Sequence, residues 1–170
     1  MASKVWLITD THFNHKAMVE YCGRPEDHTE RICANWNRLV SIYDTVIHLG
    51  DVIFNKAGSI GDLMASLPGR KILIMGNHDY HHDEGWWMRH GFALACNSLV
   101  YRNVLLTHFP AAELPANATI NIHGHFHNSD HHRWDCPTYP HNKLLHIEDT
   151  LSPVLFEDVA PAKEGSLILA

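Results

Sequence analysis

Five apolar runs in this chain stop abruptly at glycine, aspartate, asparagine or histidine. Residues Lys71-Ile72-Leu73-Ile74-Met75 lead into Gly76-Asn77-His78-Asp79. The same pattern recurs in Leu7-Ile8-Thr9-Asp10-Thr11-His12, Val46-Ile47-His48-Leu49-Gly50-Asp51, Val104-Leu105-Leu106-Thr107-His108 and Ile120-Asn121-Ile122-His123-Gly124-His125-Phe126-His127. Short apolar runs bounded by turn residues read as buried strands. Open α/β sheets collect ligands beyond the carboxyl ends of their strands. Five strand ends offering Asp, Asn and His therefore point to one shared metal site.

Between the first three strands, over 5–9, 46–49 and 71–75, the pattern is helical. Residues 13–21 predict a short helix or loop, ended by the breaker Cys22-Gly23-Arg24-Pro25. From 29 to 43, Ile32, Trp36, Leu39 and Val40 recur at helical spacing behind Thr29 as N-cap. Residues 59–67 predict a helix closed by Pro68-Gly69. A βαβαβ beginning implies a parallel sheet with right-handed crossovers. After a helix at 86–90, strand patterns at 98–101, 103–107, 118–123, 143–147 and 154–157 follow with little helix between them. They predict a second mixed or antiparallel sheet packed on the first. The expected architecture is α/β, a four-layer α/β/β/α sandwich, in one domain over 1–170. Residues 128–142 read as a polar loop rich in His, Asp and Pro.

Composition narrows the partners. Lys and Arg number 13 against 19 Asp and Glu, giving a net charge of −6, which argues against an extended nucleic acid as partner. Cys22, Cys33, Cys96 and Cys136 form no C-x-x-C pair, so a thiolate zinc site is not expected and the thiols read as free and buried. The apolar run at 5–8 is too short for a signal peptide, and no stretch approaches a membrane span. The expectation is a cytoplasmic protein without a membrane partner. The 16 histidines outnumber all Lys and Arg. A two-metal hydrolytic centre needs hard or borderline ligands, a bridging carboxylate and an open edge for phosphate and water. An Asp and His set suits Mn, Fe or Zn better than Mg.

The ordered motifs Asp10-Thr11-His12, Gly50-Asp51, Gly76-Asn77-His78-Asp79, Thr107-His108 and Gly124-His125-Phe126-His127 resemble the D-x-H, G-D, G-N-H-[DE], [GT]-H and G-H-x-H series of the calcineurin-like metallophosphoesterases. The resemblance covers residues 5–127. It implies two divalent ions, one held by Asp10, His12 and His127 and the other by Asn77, His108 and His125, with Asp51 bridging. It also leaves His78 free to face the substrate, stabilising phosphate charge or protonating the leaving oxygen, with Asp79 orienting it. Phosphoprotein and diadenosine-polyphosphate branches carry G-D-x-x-D-R-G and G-N-H-E. Here the first pattern reads Gly50-Asp51-Val52-Ile53-Phe54-Asn55-Lys56 and lacks the arginine, and Asp79 ends the second. With the short length, this is more similar to small bacterial or phage phosphodiesterase-like members.

Other candidates carry weaker signals. His15 and Arg24 are possible substrate contacts, although a lone loop arginine is commonly solvated. Strand alternation turns His48 and His123 away from the ligand side, as structural residues. His81-His82 and His131-His132 read as solvated loop, and Trp86-Trp87 as helix packing rather than a base platform. The implied activity is hydrolysis of phosphodiesters in nucleotide-like or other small phosphate esters by a metal-activated hydroxide. Alternatives are a phosphomonoesterase and a non-catalytic protein-binding scaffold of the same fold.

Overall fold

The computed structural model describes residues 2–54, 60–129 and 139–160. In chain order the strands are β1 (Val5–Ile8), β2 (Thr45–His48), β3 (Arg70–Ile74), β4 (Leu94–Cys96), β5 (Ser98–Tyr101), β6 (Val104–Thr107), β7 (Ile120–His123), β8 (Asn142–Leu144) and β9 (Val154–Leu155). The helices are α1 (Met18–Cys22), α2 (His28–Leu39), α3 (Ile60–Ser66), α4 (Glu84–Arg89) and α5 (Phe156–Val159). One sheet runs β4-β3-β2-β1-β9, parallel except for β9; the other runs β5-β6-β7-β8, parallel except for β5.

Strand alternation sets the layers. Trp6, Ile8, Val46 and Leu73 face outward onto Ile32 and Trp36 of α2, Met64 of α3 and Trp87 of α4. Their neighbours Leu7, Ile47 and Ile74 face inward and meet Leu106, Ile122 and Phe156 between the two sheets. Parallel strands buried on both faces need apolar residues at nearly every position, hence the continuous runs in the sequence. The result is the expected α/β arrangement of two mixed sheets flanked by helices. The stripe Ile32, Trp36, Val40 is core, with Leu39 packed against it.

Several local expectations change. The tail strand joins the first sheet, not the second: Trp6 pairs with Leu155 and Leu7 with Val154, antiparallel. It covers the edge of β1 that would otherwise expose unpaired backbone groups, and the chain then turns into α5. Strand β4 has no signal in the sequence, because three residues are too few to show a period. Helix α2 begins ahead of Thr29, whose hydroxyl instead accepts the backbone N–H of Asn14 at 2.8 Å. Cys22, Cys33 and Cys96 are free but only half-buried. Among the described residues no helix is long and apolar enough to cross a membrane. Asn55, Lys56, His131, His132, Cys136 and most of the 128–142 loop lie outside the described residues.

Candidate metal centre

The ends of β1, β2, β3, β6 and β7 converge at one edge of the two sheets. The loop after β1 runs beside the loop after β2, with Asp10 N–H donating to Gly50 C=O at 2.9 Å and His12 N–H to Asp51 C=O at 3.0 Å. Five candidate ligands, Asp10, His12, Asp51, His125 and His127, hold positive φ. Such left-handed conformations cost non-glycine residues on the order of 1 kcal/mol or more each, and they cluster where function requires them. Gly76 and Gly124 are there because of close approach: a Cβ on Gly76 would meet the Asp51 carboxylate and one on Gly124 the Thr9 hydroxyl and Asp10 carboxylate.

Among the described residues two ligand clusters fall on the expected set, beside a third of Cys22, His127 and Glu148 that shares His127. In the first, Asp10, His12 and His127 each present a donor atom within 4.8 Å of the others. Asp10 Oδ2 accepts the Thr9 hydroxyl and the His125 N–H, but its Oδ1 is buried with no hydrogen-bond partner, 3.8 Å from His127 Nε2. His12 Nδ1 is likewise unpartnered. An unmet buried acceptor costs about 1–3 kcal/mol, and a cation at this point would satisfy it.

The second cluster contains Asp51, His108 and His125. His108 Nδ1 donates to Leu49 C=O at 2.7 Å, which turns Nε2 inward to within 3.1 Å of Asn77 Oδ1 and 3.2 Å of His125 Nδ1. Three atoms able to donate lone pairs at such distances suit a metal ion. Asp51 Oδ1 accepts the His78 N–H at 2.9 Å, while Oδ2 lies 3.6 Å from His12 Nε2 and 3.5 Å from His108 Nε2. One carboxylate oxygen thus stands between the two clusters. The donor set fits a divalent metal of borderline character.

The electrostatics of the site agree with this grouping. Burial opposes charge on His108, but the hydrogen bond to Asp51 and the charge of Asp10 outweigh it and raise the ring to about 9. Burial would raise Asp51, yet His108 and His12 hold it well below the usual carboxylate range. Burial, then the neighbouring His108 charge, lowers His125 to about 4. A metal ion would need His108 neutral, so binding there would be coupled to proton release.

His78 is half-buried, with Nε2 3.8 Å from Asp51 Oδ2, and lines a cavity of about 680 Å³ together with Asn77, His12 and His15. Two expectations about its surroundings need correcting. Asp79 does not orient the His78 ring. Its fully buried carboxylate accepts the N–H groups of Asp51 at 2.7 Å, Val52 at 3.0 Å and Gly76 at 2.8 Å, so it pins together the loops that carry Asp51 and Asn77. Burial raises this carboxyl to about 7 against the pull of those bonds.

Arg24 is the second correction. It is 2% exposed and unavailable to a substrate. Its guanidinium donates to Asp10 C=O at 2.7 Å, Thr11 C=O at 3.0 Å and Glu148 Oε1 at 2.6 Å. The same Glu148 oxygen takes His127 Nδ1 at 2.9 Å, leaving Nε2 to face Asp10. Sequence reasoning missed Glu148, a carboxylate that fixes a ligand's orientation in the way metal-bound imidazoles commonly require.

His48 and His123 are buried and structural, as alternation predicts: His48 bonds the Thr11 hydroxyl at 2.9 Å and the Gly50 N–H at 3.1 Å, and His123 sits at 2.9 Å from Gly124 C=O. Trp87 is core, its indole N–H bonded to Asp79 C=O at 3.0 Å. Trp86 is stacked between His82 and His90 and is not part of the cavity wall.

The chain is similar to known proteins in sequence and in fold. An uncharacterized protein of Methanocaldococcus jannaschii is 43% identical over 82 residues, covering 45% of this chain and 47% of its own length, so the chain matches only about half of that relative. The Gene 66 proteins of Mycobacterium phages L5 and D29 are each 30% identical over 74% of this chain, covering 78% and 79% of theirs. The crystal structure of a protein of unknown function from Aquifex aeolicus superposes with a TM-score of 0.68 at 23% identity, over 93% of this chain and 98% of that one. A profile described as calcineurin-like phosphoesterase matches residues 3–167. That match takes in nearly the whole sequence and every strand end described above, and this chain belongs to the calcineurin-like phosphoesterases.

Proposed function

We propose that the chain hydrolyses phosphodiesters of nucleotide-like or other small molecules, using two divalent ions, with Mn, Fe or Zn as the fitting choices. Asp10, His12 and His127 would hold one ion and Asn77, His108 and His125 the other, with Asp51 shared. The observation carrying this reading is the position of Asp51 Oδ2 within 3.6 Å of ring nitrogens from both clusters. Bound ions would supply charge neutralisation for the phosphate and a water of lowered pKa.

The protein's own groups do the rest. Asp51 Oδ1, anchored on the His78 N–H, ties the shared carboxylate to the loop of the proton donor. His78, half-exposed to the cavity, is placed to donate a proton to the leaving oxygen, a contribution of about 10²–10⁴-fold. Asp79, held by three N–H groups, keeps the loops bearing Asp51 and Asn77 in register.

Metal-loaded protein should turn over bis-p-nitrophenyl phosphate faster than p-nitrophenyl phosphate. A preference for the second would make it a phosphomonoesterase. Turnover of neither ester, with metal content confirmed, would favour a non-catalytic binding protein.

A further inference from the structure

Beside the candidate metal centre, the cavity has a wall that the hydrolytic chemistry does not use. His15 and Phe54 stack face to face, with centroids 4.0 Å apart and planes 6° from parallel. Tyr21 stands edge-on to His15 at 6.3 Å, and its side chain is left 68% exposed although it lines the same cavity. Buried Met18 closes the floor. The wall reaches the reacting region from two sides: His15 is 5.7 Å from His12, a candidate ligand, and Phe54 is 5.0 Å from His78, the candidate proton donor.

We infer that this wall is a subsite for a planar aromatic ring carried by one ester group of the substrate, so that the substrate class is a nucleoside or aryl phosphodiester and not a simple alkyl one. The inference deepens the phosphoesterase reading and rests on it. Three observations converge. Aromatic faces bind planar rings by stacking and are indifferent to the identity of the ring. A cavity of about 680 Å³ is far larger than a phosphate needs and falls in the range that holds a nucleotide-sized ligand. Glu20 lines the cavity and the chain carries a net charge of −6, which favours a singly charged diester over a polyphosphate. A ring held against this wall would bring the ester group that carries it towards His78, 5.0 Å from Phe54.

The test is competitive inhibition of bis-p-nitrophenyl phosphate turnover by four probes: inorganic phosphate, ribose 5-phosphate, phenyl phosphate and adenosine 5′-monophosphate. The subsite predicts that a ring-bearing probe binds about five- to a hundredfold tighter than ribose 5-phosphate. A gain with the adenosine probe identifies a nucleobase; a gain confined to phenyl phosphate identifies an aryl ester. In Tyr21→Ala and Phe54→Leu, the ratio between ring-bearing and ring-free probes should fall towards one. Both residues lie outside the buried core, and because the readout is a ratio within each variant, a general loss of activity does not disguise it. Equal binding of all three organic probes in the unaltered protein would overturn the inference. So would a ratio that neither substitution changes. Failure of the phosphoesterase reading is separate: it would appear as no turnover of the reporter ester at all.

Discussion

Replacing Glu148 by glutamine removes one negative charge from a site where two positive groups converge. Arg24 and Glu148 side chains are both within 3% of complete burial, and the carboxylate takes the guanidinium at 2.6 Å and His127 Nδ1 at 2.9 Å. Although burial disfavours its charge, the His127 hydrogen bond and the Arg24 charge hold the Glu148 carboxyl at about 2, against an ordinary 4.5. That depression corresponds to about 3 kcal/mol of folding stability. Because the folded pKa lies below the unfolded one, the contribution is complete above pH 4.5 and fades as pH falls towards 2. His127 has the opposite sign: burial opposes its charge, but Cys22 and Glu148 raise it to about 10. Its share is complete below its ordinary 6.5 and is lost as pH rises towards 10. The pair therefore stabilises most between pH 4.5 and 6.5. Urea denaturation of chelator-treated protein across pH should show E148Q weaker by roughly 3 kcal/mol in that window, with the gap closing below it and narrowing above it to the Arg24 share. A pH-independent gap, or one below about 1 kcal/mol, would refute the assignment of Glu148 as the counter-charge of Arg24 and His127.

Three further substitutions probe the site. His78→Ala should lower kcat by about 10²–10⁴-fold while metal content, measured by elemental analysis, stays unchanged; an unchanged kcat would remove its role as proton donor. Asp51→Asn should lower occupancy of both ions together, and loss of only one would contradict a shared carboxylate. Gly124→Ala should cut metal affinity, because the added methyl runs into the Thr9 hydroxyl and the Asp10 carboxylate; titration with Mn at unaltered affinity would show that the loop gives way freely.

The ligand positions were legible because each closes a doubly buried strand, where a polar or charged side chain is costly unless a partner such as a cation meets it. Residues acting between loops were not. Glu148 lies 21 positions beyond His127, in no periodic pattern. The one signal pointing to it was Arg24, a cation in a breaker next to predicted ligands, which if buried would require a carboxylate partner. Asp79 was visible, but its neighbour in sequence is not its partner in space. The turn Asp79–His81 directs its carboxylate back onto the N–H groups of Gly76, Asp51 and Val52. Nor was the sheet of the tail strand legible, because adjacency along the chain says nothing about an antiparallel return to β1.

The backbone of the site also predicts how metal and fold are coupled. Five of the seven candidate ligands sit at positive φ, which at about 1 kcal/mol apiece is a strain on the order of 5 kcal/mol. The unpartnered Asp10 Oδ1 adds to it. Without a cation, these loops are held mainly by Asp79 and by the Arg24–Glu148 pair, so the metal-free chain should be folded but weakened at this edge. Metal at a hundred times its dissociation constant would stabilise the native state by about 2.7 kcal/mol, which for a chain of this size raises Tm by roughly 5–10 °C. Calorimetry with chelator and with added Mn measures the difference. In Asp51→Asn the same additions should shift Tm much less, since the shared ligand is gone. Identical melting with and without metal would mean that the strained loops are stable by themselves and that their geometry was not set by an ion.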